Sequence, residues 1–266
     1  MELENIINFE NVYVNYDIDS STLRNINLKI KNNENWAILG ANGSGKSTLI
    51  KLFSNDLYPT TKYPFKKEIF GEENWNIFEL KKNLGIITND LHNTFGSQGK
   101  YITAYEVILS GFYSSIQIFN HQDFTKEQHQ KVLEVLEFLE ILELKDKKVH
   151  QMSTGQLRRC IIGRALIHDP KAFILDEPTV GLDIKSQHSF IKLIQIMEKS
   201  ASIIIVTHHI EEIFEEITHV ALIHNKTIFK QGKKEDILTS KNLSEIFEID
   251  IDLQKENERY YIKSIK

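Results

Sequence analysis

Cysteine is nearly absent. Cys160 stands alone, so no intrachain disulfide can form, and a reducing, cytoplasmic setting is the expectation. No apolar run approaches the about 20 residues that a membrane-spanning helix needs. Ile203-Ile204-Ile205-Val206 is among the purest and has the length of a strand, so the chain is not expected to form a membrane pathway alone. The opening residues, Met1-Glu2-Leu3-Glu4-Asn5, lack the basic-then-apolar layout of a signal peptide. Positive charge is not in excess either: the formal net charge of −5 opposes broad adhesion to nucleic acid or anionic lipid. Repeats and low-complexity segments are missing. What is present, 266 residues with 41% hydrophobic and 26% charged, has the balance of a soluble globular protein. That length holds one large α/β domain, or a domain with a subdomain.

The densest chemistry is Gly40-Ala41-Asn42-Gly43-Ser44-Gly45-Lys46-Ser47-Thr48, a complete G-x-x-x-x-G-K-[ST] phosphate loop. Its glycines permit positive φ and close backbone approach, so successive N–H groups can cradle phosphate oxygens. Lys46 supplies a point charge for the β- and γ-phosphates, and the Ser47 hydroxyl is a hard oxygen ligand of the kind Mg²⁺ accepts. The context agrees, because Trp36 to Leu39 reads as a buried strand and Ser47 to Phe53 as a helix whose positive end faces the phosphates.

Ahead of the loop, Phe9 to Val14 is rich in β-formers around one polar break, and Leu28 and Ile30 alternate with lysines. Both read as antiparallel strands. Tyr16 has the flat face to stack on a purine base, although by itself it reads sooner as a core or edge-strand residue. Residues 55–75 carry loop chemistry, followed by a short helix at 77–82 and a strand at 85–87. Thr88 to Asn93 then reads as a polar loop at a strand end, where open α/β sheets place ligand groups. Asp123 reads as the N-cap of a long helix through Leu144. Residues 89–152 are thus expected to form a helical insertion in an α/β core.

Met152-Ser153-Thr154-Gly155-Gln156 opens a further helix, and its small polar residue and glycine suit either a second anion-binding turn or an ordinary N-cap. Ala172 to Leu175 reads as a buried strand ending in Asp176-Glu177-Pro178. Two adjacent carboxylates there, in a chain that has a phosphate loop, suit Mg²⁺ coordination and water activation. Val180-Gly181-Leu182-Asp183 makes a turn before an amphipathic helix at 184–197. A second buried strand, 203–206, runs into Thr207-His208-His209, and His208 is placed to touch a γ-phosphate. Residues 220–230 read as a hairpin across Asn225-Lys226, and 233–266 as a small extension with a short helix and an edge strand near 260–262.

This ordered set resembles the ATP-binding cassette (ABC) ATPases from about Phe9 to about Gly232. The likeness is to the single-cassette branch often labelled molybdenum-transport or photorepair ATP-binding proteins. Residues 40–48 resemble the Walker A loop, Met152 to Gln156 the signature, Phe173 to Glu177 Walker B, Val180 to Asp183 the D-loop and His208 the switch histidine. The fold so implied is a P-loop NTPase core, a mostly parallel RecA-like sheet, with an N-terminal antiparallel β-subdomain and an inserted helical one. The resemblance also implies a head-to-tail homodimer with two ATPs at its interface, each held by one subunit's Walker motifs and by the other's signature residues Ser153, Gly155 and Gln156, with Asp183 of the D-loop also in the nucleotide-binding set. Tyr16 would stack on adenine, Ser47 and Asp176 would hold Mg²⁺, and Glu177 would polarise the attacking water. Thr154 departs from the usual signature glycine. The glutamine expected after residues 86–87 is missing, since no Gln lies between Lys46 and Gln98; Asn89, as a metal ligand, or His92 would take over its polar contact. The expected role is the ATP-binding subunit of a membrane transporter, cytoplasmic and held to the membrane by a partner. Residues 89–119, with Phe112, Tyr113, Ile116 and Ile118, are the candidate docking patch, or else a core face. The alternative is a soluble ABC ATPase acting on nucleic acid or another macromolecule.

Overall fold

The alternating residues ahead of the phosphate loop form β1 (Asn5–Asp17) and β2 (Ser20–Lys31), paired antiparallel with Phe9 opposite Leu28. The polar break in β1 is a bulge: Asn11 sits at φ 53, and the register slips between Phe9 and Val12. The computed structural model describes residues 4–17 and 20–265, the side chains of residues 16, 17, 20 and 21 excepted. Tyr16 therefore lies outside the described side chains. The chain divides into two compact units, residues 1–77 with 197–266, and residues 78–196.

In the first unit, β3 (Trp36–Gly40) is buried along its whole length and leads through the glycine loop into α1 (Lys46–Phe53). A strand stands where only loop was expected: β4 (Lys66–Ile69) adds to β1 with Ile7 opposite Ile69. Its two lysines hide the alternation, because Lys67 is itself 5% exposed, donating to Asn55 Oδ1. Burial pulls the Lys67 ammonium down to about 8 from the usual 10.5. The unfolded chain then holds more protons than the folded one between those values, so this lysine's penalty is in full force below pH 8 and is relieved as pH rises toward 10.5. The melting temperature of the wild type is expected to rise relative to Lys67→Met as pH is taken from 7.5 to 10 in a calorimetric series. A difference independent of pH would count against a buried, perturbed lysine.

The second unit runs from α2 (Ile77–Asn83) through β5 (Leu84–Ile87), α3 (Asn89–Ser97), α4 (Ala104–Leu109) and α5 (Lys126–Phe138) to α6 (Thr154–Leu166), β6 (Ala172–Asp176) and α7 (Ile184–Met197). The expected insertion at 89–152 falls within it. Two expectations are corrected. Thr88 to Asn93 is the start of α3 rather than a loop, because the Thr88 hydroxyl caps the helix by accepting from Leu91 N at 3.1 Å. The N-cap of α5 is Thr125, in a reciprocal capping box with Gln128, and not Asp123. That helix stops at Phe138, because Glu140 turns left-handed at φ 53 before a 3₁₀ turn at 142–144. β5 and β6 pair in parallel, Ile87 opposite Leu175, so both strands end on the same side.

The chain returns to the first unit with β7 (Ser202–Thr207), β8 (His219–His224) and β9 (Thr227–Lys233), then α8 (Lys234–Ile237), α9 (Ser240–Phe247), β10 (Ile251–Glu256) and β11 (Arg259–Ile265). β3 lies between β7 and β8, parallel to both, and β9 closes antiparallel on β8. The tail pairs β10 with β11 as a hairpin, where one edge strand was expected. Among the described residues no helix is long and apolar enough to cross a membrane.

Candidate functional site

The buried β3 forces the glycine loop to start at a fixed point. A Cβ on Gly40 would meet Ile223 O at 2.6 Å, and one on Gly45, at φ 113, would meet Leu23 Cδ2 at 2.5 Å. Gly45 is also the N-cap of α1 and offers no side-chain acceptor, which leaves the first N–H groups of that helix open to an anion. Lys46 is 7% exposed, and its ammonium folds back on the loop, donating to Gly40 O at 2.8 Å and Ala41 O at 3.1 Å. Ser44 Oγ is buried without a hydrogen-bond partner. An open helix end, a buried cation and an orphaned hydroxyl together fit the phosphates of a nucleotide. Ser47 lies exposed in the first turn of α1. His208 comes to the same edge, because Thr207 pairs with Leu39 and the next residue leaves the sheet beside the loop. Its ring lies 3.9 Å from that of His209. On the outer side of the loop α9 arrives, so that Asn42, Ser44, Arg24, Lys226 and Phe247 line one groove; nothing in the motif pattern pointed to the extension there.

The second unit gathers the other expected residues. Asp176 ends β6, and Glu177 follows it at φ 47, a conformation that costs a non-glycine residue about 1–3 kcal/mol and persists only where its surroundings impose it. The signature turn is an N-cap: Ser153 Oγ accepts from Gln156 N at 3.3 Å, and Gln156 Oε1 accepts from Ser153 N at 3.1 Å and from Lys147 Nζ at 3.0 Å. A hydroxyl accepts and donates at once, so capping leaves the Ser153 proton for an anion. Gly155 sits close to α7, since a Cβ there would come to 3.1 Å from Ser186 Oγ. A cleft of about 230 Å³ opens beside it, lined by Ser153, Arg159, Lys185 and Ser186 among others. Asp183 caps α7, accepting from Ser186 N at 2.7 Å, and this hydrogen bond holds its carboxyl below the usual range. Cys160 is buried, which pushes its thiol up to about 12 and leaves it unreactive.

Asn89 and His92, the two candidates for the missing glutamine's polar contact, both lie on α3 and face Arg158. Asn89 Oδ1, the atom a metal would use, accepts from Arg158 Nη2 at 2.8 Å. A guanidinium at that distance opposes a dication on the same oxygen. His92 has its acidity set by burial first and by the Arg158 charge second, both favouring the neutral ring, and its Nε2 is buried without a hydrogen bond. Among the described residues no group of three or more histidines, cysteines and carboxylates makes a metal cage. Mg²⁺ needs none, since it is commonly held by one or two protein oxygens with substrate phosphates. Ser47 and Asp176 have that donor chemistry.

The family model described as ABC transporter matches residues 23–180. The chain belongs to this family. The cassette is an ATPase, and its fold is that of the solved ABC cassettes. It is 30% identical over 249 residues to the ABC transporter ATP-binding protein YlmA of Bacillus subtilis, with 90% of each chain covered. It is 31% identical over 241 residues to the energy-coupling factor transporter ATP-binding protein EcfA3 of Clostridium perfringens, with 90% of this chain and 81% of that one covered. The solved structure of cbiO1 from Clostridium perfringens, part of the ABC transporter complex cbiONQ, superposes with a TM-score of 0.73 at 28% identity, covering 91% of the cassette and 94% of that chain.

Proposed function

We propose that the cassette is the Mg²⁺-dependent, ATP-hydrolysing subunit of a membrane transporter and works as a head-to-tail homodimer on the cytoplasmic face. The observation that carries the ATP site is the Lys46 ammonium folded into its loop beside the orphaned Ser44 hydroxyl and the uncapped α1. Support for the transport role comes from the likeness to EcfA3 and cbiO1, whose names place them in transporters. Each triphosphate would lie in the phosphate loop of one subunit, with Tyr16 stacked on its base. The Ser153 and Gly155 turn of the other subunit would meet its γ-phosphate, and the basic cleft beside that turn suits the charge. Ser47 and Asp176 would hold Mg²⁺, which neutralises charge building on the phosphate oxygens. Glu177 would orient and deprotonate the attacking water, and His208 would hydrogen-bond the γ-phosphate.

Docking of the membrane partner falls to the aromatic stretch after α4. Phe112 is half-buried, packed edge-on to His168 with centroids 5.3 Å apart, so it serves the core. Phe119 is 48% exposed and Tyr113 41%, and these, with the half-buried Ile116 and Ile118, offer a partner the most accessible apolar surface of the stretch. The cassette purified from its own cells in mild detergent is expected to bring an integral membrane protein with it, and Phe119→Asp with Tyr113→Asp to lose that protein while keeping ATPase turnover. Recovery only in the soluble fraction, with nucleic acid or another macromolecule and no membrane protein, would overturn the transport reading.

A further inference from the structure

We propose that Arg158 is a positioning residue for hydrolysis, holding the backbone of Glu177 in its left-handed conformation and locking it to Asn89. The inference rests on Glu177 being the base. Arg158 lies on α6, two residues beyond the signature's Gln156, and is only 5% exposed. Its Nη1 donates to Glu177 O at 3.1 Å and also to Pro178 O, while Nη2 donates to Asn89 Oδ1 at 2.8 Å. One planar group therefore joins three segments: the signature helix, the turn after β6 and the start of α3. Parallel pairing of β5 with β6 brings the last two to one edge. The turn also carries a 3.3 Å bond from Val180 N to Glu177 O, at the long end of the range. The guanidinium holds two successive carbonyls, and this fixes the direction in which the Glu177 side chain leaves the backbone at φ 47.

The arrangement also answers what stands where a glutamine was expected. Asn89 has its oxygen turned to the arginine, and His92, one turn along α3, has a backbone hydrogen bond with Thr154 of the signature. Both side chains of α3 that were candidates for ligand contact thus connect α3 to the signature helix. A shift of the signature turn is carried by α6 to Arg158 and from there to the Glu177 carbonyl. Lysine cannot replace this arginine, because a point charge on a flexible stem cannot hold three acceptors in one plane.

The test is steady-state ATP hydrolysis and direct ATP binding, measured on full-length Arg158→Lys, Arg158→Met, Asn89→Ala and the Arg158→Met/Asn89→Ala pair. Misplaced geometry at the water-activating group is expected to lower kcat on the order of 10²-fold in both arginine variants. ATP affinity should stay within about threefold of the wild type, since no phosphate contact is removed. Asn89→Ala should lower kcat by less and should add nothing in the Arg158→Met background, because the two act through one contact. An unchanged kcat in soluble, folded Arg158→Lys would overturn the proposal, as would losses in kcat and affinity that run together, or losses from Arg158 and Asn89 that multiply. Should the Met variant not fold, Arg158→Gln, which keeps an amide donor, is expected to show the same split between kcat and affinity. Failure of Glu177 itself as the base is read separately, from wild-type turnover in Glu177→Gln.

Discussion

Glutamine in place of Glu177 is expected to lower ATP turnover by about 10²–10⁴-fold, the usual contribution of a positioned general base, while ATP still binds. The substitution keeps the size of the side chain and adds no strain, because the left-handed backbone at φ 47 treats the two residues alike. Only the ability to take a proton from water is removed. Phosphoryl transfer asks the protein mainly for positioning and charge stabilisation, and those parts remain in the variant. The bound triphosphate is then not consumed, so the nucleotide-bound dimer should accumulate. Light scattering of Glu177→Gln should give the monomer mass without nucleotide and twice that mass with ATP and Mg²⁺. Phosphate release at the wild-type rate would remove Glu177 from the role of base, and a monomer under both conditions would remove the head-to-tail dimer.

The parts legible in sequence were those where backbone chemistry leaves a mark. Gly40, Gly43 and Gly45 marked the phosphate loop because no residue with a Cβ fits at Gly40 or Gly45 without a clash below 3 Å. Ser153 marked the start of α6, and the buried strands at 172–176 and 202–207 showed as short β-branched or apolar runs between polar ends. The Asn225-Lys226 turn was also found, and the structure puts both at positive φ, 48 and 67, as a two-residue hairpin requires. What stayed hidden was whatever depends on a distant partner. β4 looked like loop because its strand identity comes from pairing with β1, and its lysines mask the period of two. The start of α5 was placed at Asp123 because both Asp and Thr cap helices; the capping box with Gln128 decides for Thr125.

Within the site the same division holds. Motif spacing named Lys46, Asp176, Glu177 and His208, since each sits at a strand end or in a fixed loop. It could not show that Asn89 spends its oxygen on Arg158, because the two are 69 residues apart and meet only when β5, β6 and α6 pack. The available signal was an arginine two positions beyond Gln156, among the buried residues Leu157, Cys160, Ile161 and Ile162 of the helix that the signature opens. A buried arginine in such a place has to find acceptors. On the proposed reading, coupling between the signature turn and Glu177 would run through Arg158, a side chain outside the motifs that named the site.

Removing the ammonium of Lys46 is expected to be the more severe change, because it acts on binding and on turnover together. Lys46 Nζ already lies inside the loop, held by Gly40 O and Ala41 O at 2.8 and 3.1 Å, so its charge is in place before a nucleotide arrives. A hydrogen bond to a charged group contributes about 1.5–3 kcal/mol, which places the loss of ATP affinity in Lys46→Ala at roughly ten- to 150-fold. As charge moves toward the β/γ bridge the same ammonium stabilises the transition state, and the loss of one such contact costs a further factor on the order of 10²–10³ in turnover. Lys46→Arg should not restore either, since a planar fork is too wide for a loop in which Gly45 already lies against Leu23. The decisive measurement is thermal unfolding with and without ATP. Wild type should gain stability with ligand concentration as mass action requires, while Lys46→Ala should melt near the wild-type temperature without nucleotide and show little gain when it is added. A full ATP-induced shift in Lys46→Ala would mean that the backbone cradle alone carries the binding, and that the ammonium serves the fold of its loop instead.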